Sequence, residues 1–136
     1  MGTAGPDTQQ RTPNTYHAGR LLMQLKVETR TPKEGVAVIA LDGEVDVYTS
    51  PRLKQEMVDL LNRGLVHLVV DLNNVKYLDS TGLGVLIGGL KRARERDGDL
   101  RLICDNMRIL RIFDITGLTK IFDIDRDEGE ALAKLK

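Results

Sequence analysis

The run Leu65–Leu72 (LVHLVVDL) restricts this chain more than any other stretch. It is apolar on successive residues rather than alternate ones, so a strand built from it has to be covered on both faces. That is the situation of a central strand in a sheet flanked by helices. His67 lies within the run and reads as a packed structural residue. Asn73-Asn74 reads as a turn leading out of it.

The next stretch, Val75–Leu90 (VKYLDSTGLGVLIGGL), hands a strand over to a helix. A short apolar run ends at Asp79. Leu83, Leu86, Ile87 and Leu90 then repeat at i, i+3, i+4, i+7, one face of a helix. Asp79 and Ser80 sit at the junction, and either side chain can cap the free N–H groups of the first turn. A helix N-terminus carries partial positive charge and tolerates an added anion. A phosphoryl group on Ser80 can therefore be accommodated there, with the charge of Asp79 working against it. From local chemistry the two residues are either a simple cap or a surface switch.

The remaining elements follow in order. Leu21–Val27 alternates apolar and polar residues and reads as a half-buried strand. Thr29–Gly35, with Pro32 and Gly35, reads as a turn, and Val36–Leu41 as the second strand of an antiparallel hairpin that Asp42-Gly43 ends. The segment Asp42–Pro51 (DGEVDVYTSP) is acidic, and Glu44 and Asp46 are either a solvated loop or a recognition surface for a basic partner. Ser50 and Pro51 mark an N-cap and a first helical position. Leu53, Met57, Leu60 and Leu61 share a helix face, which Gly64 closes.

After Leu90 the helix turns charged, with signs interleaved up to Gly98. This reads as a solvated end rather than a nucleic-acid patch. Leu100–Cys104 is a further strand with Cys104 as a core residue. Asn106 caps a helix carrying Ile109, Leu110, Ile112 and Phe113, which Thr116-Gly117 stops. Ile121, Phe122 and Ile124 suggest a short extended piece, and Asp127–Lys136 a last helix with acids first and lysines last. Strands alternating with helices imply an α/β fold. Its sheet is mixed but mostly parallel, with an N-terminal antiparallel hairpin and about four helices.

Composition narrows the function classes. The 136 residues fit one core; Met1–Arg20 has almost nothing to bury and reads as a disordered tail, leaving 21–136 as the domain. Twenty basic residues balance twenty acidic ones, so no net field draws the chain to nucleic acid or an anionic membrane. A single cysteine forms no intrachain disulfide, and no apolar run approaches a membrane span or a signal-peptide core. A cytoplasmic protein is expected. Gly82, Gly84 and Gly88 are spaced G-x-G-x-x-x-G, which is not the dinucleotide fingerprint, and no phosphate loop ending in G-K-[ST] is present. These glycines read as points of close approach between the helix and a neighbour. Ser80, His67 and Asp79 are the residue types of a triad, but Ser80 lacks the G-x-S-x-G elbow. No His or Cys spacing suits a metal. Neither an enzyme nor a cofactor is expected.

Three segments carry a family resemblance: Asp42–Gln55, Leu68–Arg92 with its D-S-T-G-L-G, and Ile115–Ile124. Together the chain from Leu21 to Lys136 resembles the STAS-domain anti-sigma factor antagonists, the BldG type in particular. The resemblance implies the STAS fold and a regulator, not an enzyme, of the kind used in stress responses. Its implied partners are a GHKL-type serine kinase that also holds a sigma factor, and a PP2C-type phosphatase. The unphosphorylated form would bind the kinase and free the sigma factor. Phosphorylation of the serine after the motif aspartate, here Ser80, would end binding. By the same match Asp79, Thr81, Gly82 and Leu83 belong to the docking surface, and Glu44, Asp46, Thr49 and Ser50 to the loop that faces the kinase. The alternative is a non-switching STAS scaffold or a nucleotide- or anion-sensing module using the same helix N-terminus.

Overall fold

The computed structural model describes residues 24–135. Strands β1 (Lys26–Lys33), β2 (Val36–Val45), β3 (His67–Leu78), β4 (Asp99–Ile103) and β5 (Asp123–Asp125) form one sheet in that spatial order. β1 pairs antiparallel with β2, and every later pair is parallel. The helices are α1 (Ser50–Asn62), α2 (Ser80–Arg94), α3 (Met107–Ile115) and α4 (Glu128–Ala133). A single 3-10 turn, Leu118–Lys120, precedes β5. This is the mixed, mostly parallel α/β architecture that the alternation of elements predicts.

The continuous apolar character of β3 has the expected cause. Leu68, Val70 and Leu72 point to one face, where Leu53 and Met57 of α1, Leu86 and Leu90 of α2, and Phe113 of α3 cover them. Val69 points to the other face, with Val36, Val38 and Ile103, beneath Ala131 of α4. Three helices thus cover one face and one short helix the other. Phe113 is fully buried and meets Phe122 edge to face, ring centroids 5.8 Å apart, a favourable geometry for two aromatic quadrupoles.

The strand of Leu65–Leu72 begins at His67, and of Ile121, Phe122 and Ile124 only Ile124 lies in β5. Three larger differences from the sequence expectations each have a tertiary reason. The first strand begins at Lys26 and runs through Pro32 to Lys33, so most of Thr29–Gly35 is strand and only Glu34-Gly35 turns. β1 is an edge strand with a register shift between Arg30 and Lys33, where a proline removes no ladder hydrogen bond. The expected strand residues Leu21, Leu22 and Met23 lie outside the described residues, as does the expected tail. Second, Asp42-Gly43 does not end β2; the strand continues to Val45 across two register shifts. Gly43 adopts φ +125°, and a Cβ there would collide with the carbonyl of Gln24, so the glycine serves a bulge rather than a stop. Third, Asn73-Asn74 is not a turn, because β3 continues against the prolonged β2, with Asn74 opposite Asp42 and Leu78 opposite Val45. The Asn73 side chain instead accepts the backbone N–H of Asp105.

Helix ends agree more closely. Asn106 caps α3, accepting the N–H of Arg108 at 3.0 Å. Asp127 caps α4, which ends at Ala133 rather than Lys136. For α1 the cap position is Thr49, not Ser50, which is already the first helical residue.

Candidate functional site

The extra length of β2 and β3 carries both chains past the rest of the sheet, and the site is built where they stop. The last ladder pair is Val45 and Leu78, and the N–H of Asp79 donates to the carbonyl of Val45 at 3.3 Å. From that joint, β2 leads into the loop 46–49 and β3 leads into α2. The loop and the start of α2 are thereby neighbours.

Asp79, not Ser80, is the cap of α2. Its backbone is extended, and its Oδ1 accepts the N–H groups of Thr81 at 3.0 Å and Gly82 at 3.1 Å. One carboxylate thus satisfies two of the donors that a helix start leaves open. Ser80 and Thr81 are both exposed at the first turn, and Asp79 before them is half-buried. Gly82 and Leu83 turn inward. A Cβ on Gly82 would lie 2.7 Å from Leu78 Cδ1 and 2.7 Å from Val45 Cγ1, so α2 rests directly on the Val45–Leu78 joint. The other two glycines read as close approaches are not: Gly84 faces open space and Gly88 meets only the side chain of Arg92.

The loop 46–49 inverts the usual arrangement of polar and apolar residues. Asp46 is 9 % exposed and Ser50 2 %. Asp46 Oδ1 accepts the N–H groups of Tyr48 at 2.9 Å and Thr49 at 3.0 Å, with the Thr49 hydroxyl 3.2 Å away. The Thr49 Oγ1 donates to the carbonyl of Glu44 at 2.7 Å and accepts the N–H of Asp46 at 3.0 Å. This is an Asx turn closed by a threonine. Its consequence is that Val47 and Tyr48 stand outside, 57 % and 75 % exposed. The composition of the segment suggested an acidic surface. The geometry shows an acidic residue holding the backbone and two apolar side chains facing solvent.

His67 and Ser80 stand at opposite ends of β3, roughly 40 Å apart along an extended chain, so no Ser–His pair forms. Nδ1 of His67 is buried without a hydrogen-bond partner among the described residues. Among those residues no group of three His, Cys, Asp or Glu side chains is placed to hold a metal ion, and no helix is long and apolar enough to cross a membrane. Burial pushes the Cys104 thiol up, although the backbone of Asn106 pulls the other way. Cys104 is thus kept a neutral core residue.

The sequence matches the STAS domain over residues 27–131. The chain belongs to the STAS-domain family. A curated relative, an anti-sigma-B factor antagonist of Listeria monocytogenes, is 39% identical over 109 residues, 79% of this chain and 95% of that protein. Among solved structures, an anti-sigma factor antagonist from Mycobacterium paratuberculosis superposes with TM-score 0.73 at 26% identity, covering 81% of this chain and 92% of that one. The Bacillus cell-fate determinant SpoIIAA in its phosphorylated form shares the fold, with TM-score 0.67 at 19% identity, covering 82% of this chain and all of that one. In this STAS domain, Asp79 and Ser80 occupy the strand-to-helix junction that the sequence marks as the candidate site. Sequence reasoning did not single out Val47 and Tyr48. The signal available for them was the spacing Asp46-x-x-Thr49, the pattern of a side-chain-closed turn.

Proposed function

We propose that this protein is an anti-sigma factor antagonist switched by phosphorylation of Ser80. Its partner is a GHKL-type serine kinase that doubles as the anti-sigma factor, and a PP2C-type phosphatase restores the active form. The unphosphorylated domain binds the kinase and releases the sigma factor in the cytoplasm. We take the domain to extend over 21–136, somewhat beyond the matched residues.

The observation that carries this reading is the state of the first donors of α2. The Asp79 carboxylate already accepts the N–H groups of Thr81 and Gly82. A phosphoryl group on Ser80 does not find those two donors vacant, so its charge stays on the surface, beside an existing carboxylate. Phosphorylation adds about −1.5 to −2 charges. Against one partner carboxylate at ~5 Å and an effective dielectric near 20, the repulsion is about 5 kcal/mol before screening. Each ~1.4 kcal/mol is tenfold in affinity, so a single modification suffices to release the partner without refolding. The same occupied donors count against the anion-sensing alternative, which needs them free.

The test is phosphosite mapping by mass spectrometry after incubation with a candidate kinase and ATP, beside a Ser80→Ala control. One phosphoryl group on Ser80, absent from the control, and loss of kinase binding by the modified protein are expected. A kinase that binds the domain but leaves Ser80 unmodified overturns the switch and favours a scaffold.

A further inference from the structure

Six large apolar side chains are well exposed among the described residues: Val47, Tyr48, Tyr77, Met107, Ile115 and Ile121. Only Val47 and Tyr48 are consecutive, and only they share one tightly built loop. Their exposure follows from the fold around them, because Asp46, Thr49 and Ser50 are buried and the Asp46 carboxylate fixes the backbone at 48 and 49. The loop also joins the switch. Val45 bonds Asp79, Tyr48 lies three residues beyond the one and Ser80 one residue beyond the other, so the two are no more than about 20 Å apart. A standard protein interface of about 800 Å² per partner is roughly 30 Å across and spans both.

Two of the charged groups nearby are already engaged. The carboxylates of Asp46 and Asp79 each spend an oxygen on two backbone N–H groups of their own chain. An aromatic ring held out on a rigid turn needs little further ordering when it binds, and tyrosine is among the residue types on which binding energy concentrates.

We propose that Tyr48, with Val47 beside it, is the anchor by which the partner kinase holds this protein, the ring seating in an apolar pocket of the kinase adjacent to its phosphotransfer site. The proposal rests on the phosphoswitch reading and deepens it: Ser80 decides whether binding occurs, and Tyr48 supplies the affinity and selects the partner. Recognition and switching then reside on different side chains.

The experiment measures affinity by calorimetry between the full-length protein and the kinase that modifies its Ser80, with ADP in place of ATP. Tyr48→Ser is expected to bind about thirtyfold more weakly, the loss typical of an interface hot spot, while its far-UV circular dichroism shows the wild-type fold. Tyr48→Phe is expected to bind within about threefold of the wild type, because the ring rather than the hydroxyl fills the pocket. Wild-type affinity for Tyr48→Ser overturns the anchor and leaves the phosphoswitch standing. A wild type that binds no kinase removes both. Sedimentation is run alongside: a wild-type dimer that Tyr48→Ser abolishes assigns the ring to a second copy of this chain and overturns the kinase pocket.

Discussion

The Ser80 end of the sheet and the back face beneath α4 both hold clusters of charged residues, and they use charge in opposite ways. On the back face charges are paired with each other across elements. Asp125, nearly buried, receives Arg101 at 3.0 Å and Lys134 at 2.5 Å, while Arg30 of β1 pairs with Glu128 of α4. These pairs tie a six-residue helix to a small apolar cluster that would hold it weakly alone. At the Ser80 end the carboxylates of Asp46 and Asp79 bond backbone N–H groups instead. Side-chain charge there builds turns and leaves Val47 and the Tyr48 ring outside. One region uses ion pairs to close a surface, and the other uses capping to keep one open.

Variants separate the two uses. The largest effect is expected at the open end and on binding: Ser80→Glu adds one charge, and about 3 kcal/mol of repulsion weakens kinase affinity about a hundredfold in calorimetry. Wild-type affinity for that variant would remove charge as the basis of the switch. Next is the back face. Burial raises the Asp125 carboxyl, but hydrogen bonds from Arg101 and Lys134 outweigh it and hold the group below its ordinary value of 3.8. The unfolded chain therefore takes up this proton at higher pH than the folded one. The stabilisation is complete above the ordinary value and is lost as pH falls through the lowered one. Asp125→Asn is expected to cost about 2 kcal/mol at neutral pH, because it leaves a largely buried Arg101 with only the exposed carboxylate of Asp123 as its anion. The difference from wild type should shrink below about pH 4, as followed by urea denaturation across pH.

A third variant pair tests whether Asp46 acts by geometry or by charge. Asp46→Ala removes the acceptor of two backbone N–H groups and should cost about 2 kcal/mol in urea denaturation. Asp46→Asn keeps a carbonyl oxygen at that position and should recover most of this stability and of the kinase affinity. An asparagine variant that folds well and fails to bind would return Asp46 to direct electrostatic recognition. The smallest effect is at Asp79, where Asp79→Ala removes a helix cap worth about 1 kcal/mol, read as a fall in thermal midpoint of several degrees.

Much of this was legible in the sequence because local and tertiary preferences coincide. The double-sided burial of β3, the start of α2 at Asp79-Ser80 and the Asn106 cap of α3 are all written in residues close together in the chain. The misread places are those where a distant partner decides. Asn73-Asn74 and Asp42-Gly43 carry turn residues, yet each pair lies in a strand because the other strand runs alongside it. Pro32 looks like a stop until β1 is known to be an edge. At the site, Asp79 and Ser80 were visible as chemistry, but which of them caps the helix depends on rotamers. In the loop, composition suggested that Glu44 and Asp46 both face the solvent. The Asx turn instead buries Asp46 and leaves Val47 and Tyr48 outside.

Gly82 has one more consequence. Because α2 sits on Val45 and Leu78 with no room for even a methyl group between them, the serine two residues earlier is fixed against the joint between β2 and β3. On the proposed reading, a hydroxyl held this way stores one bit of information as a covalent mark, and the tempo of the response is set by the two enzymes that write and erase it.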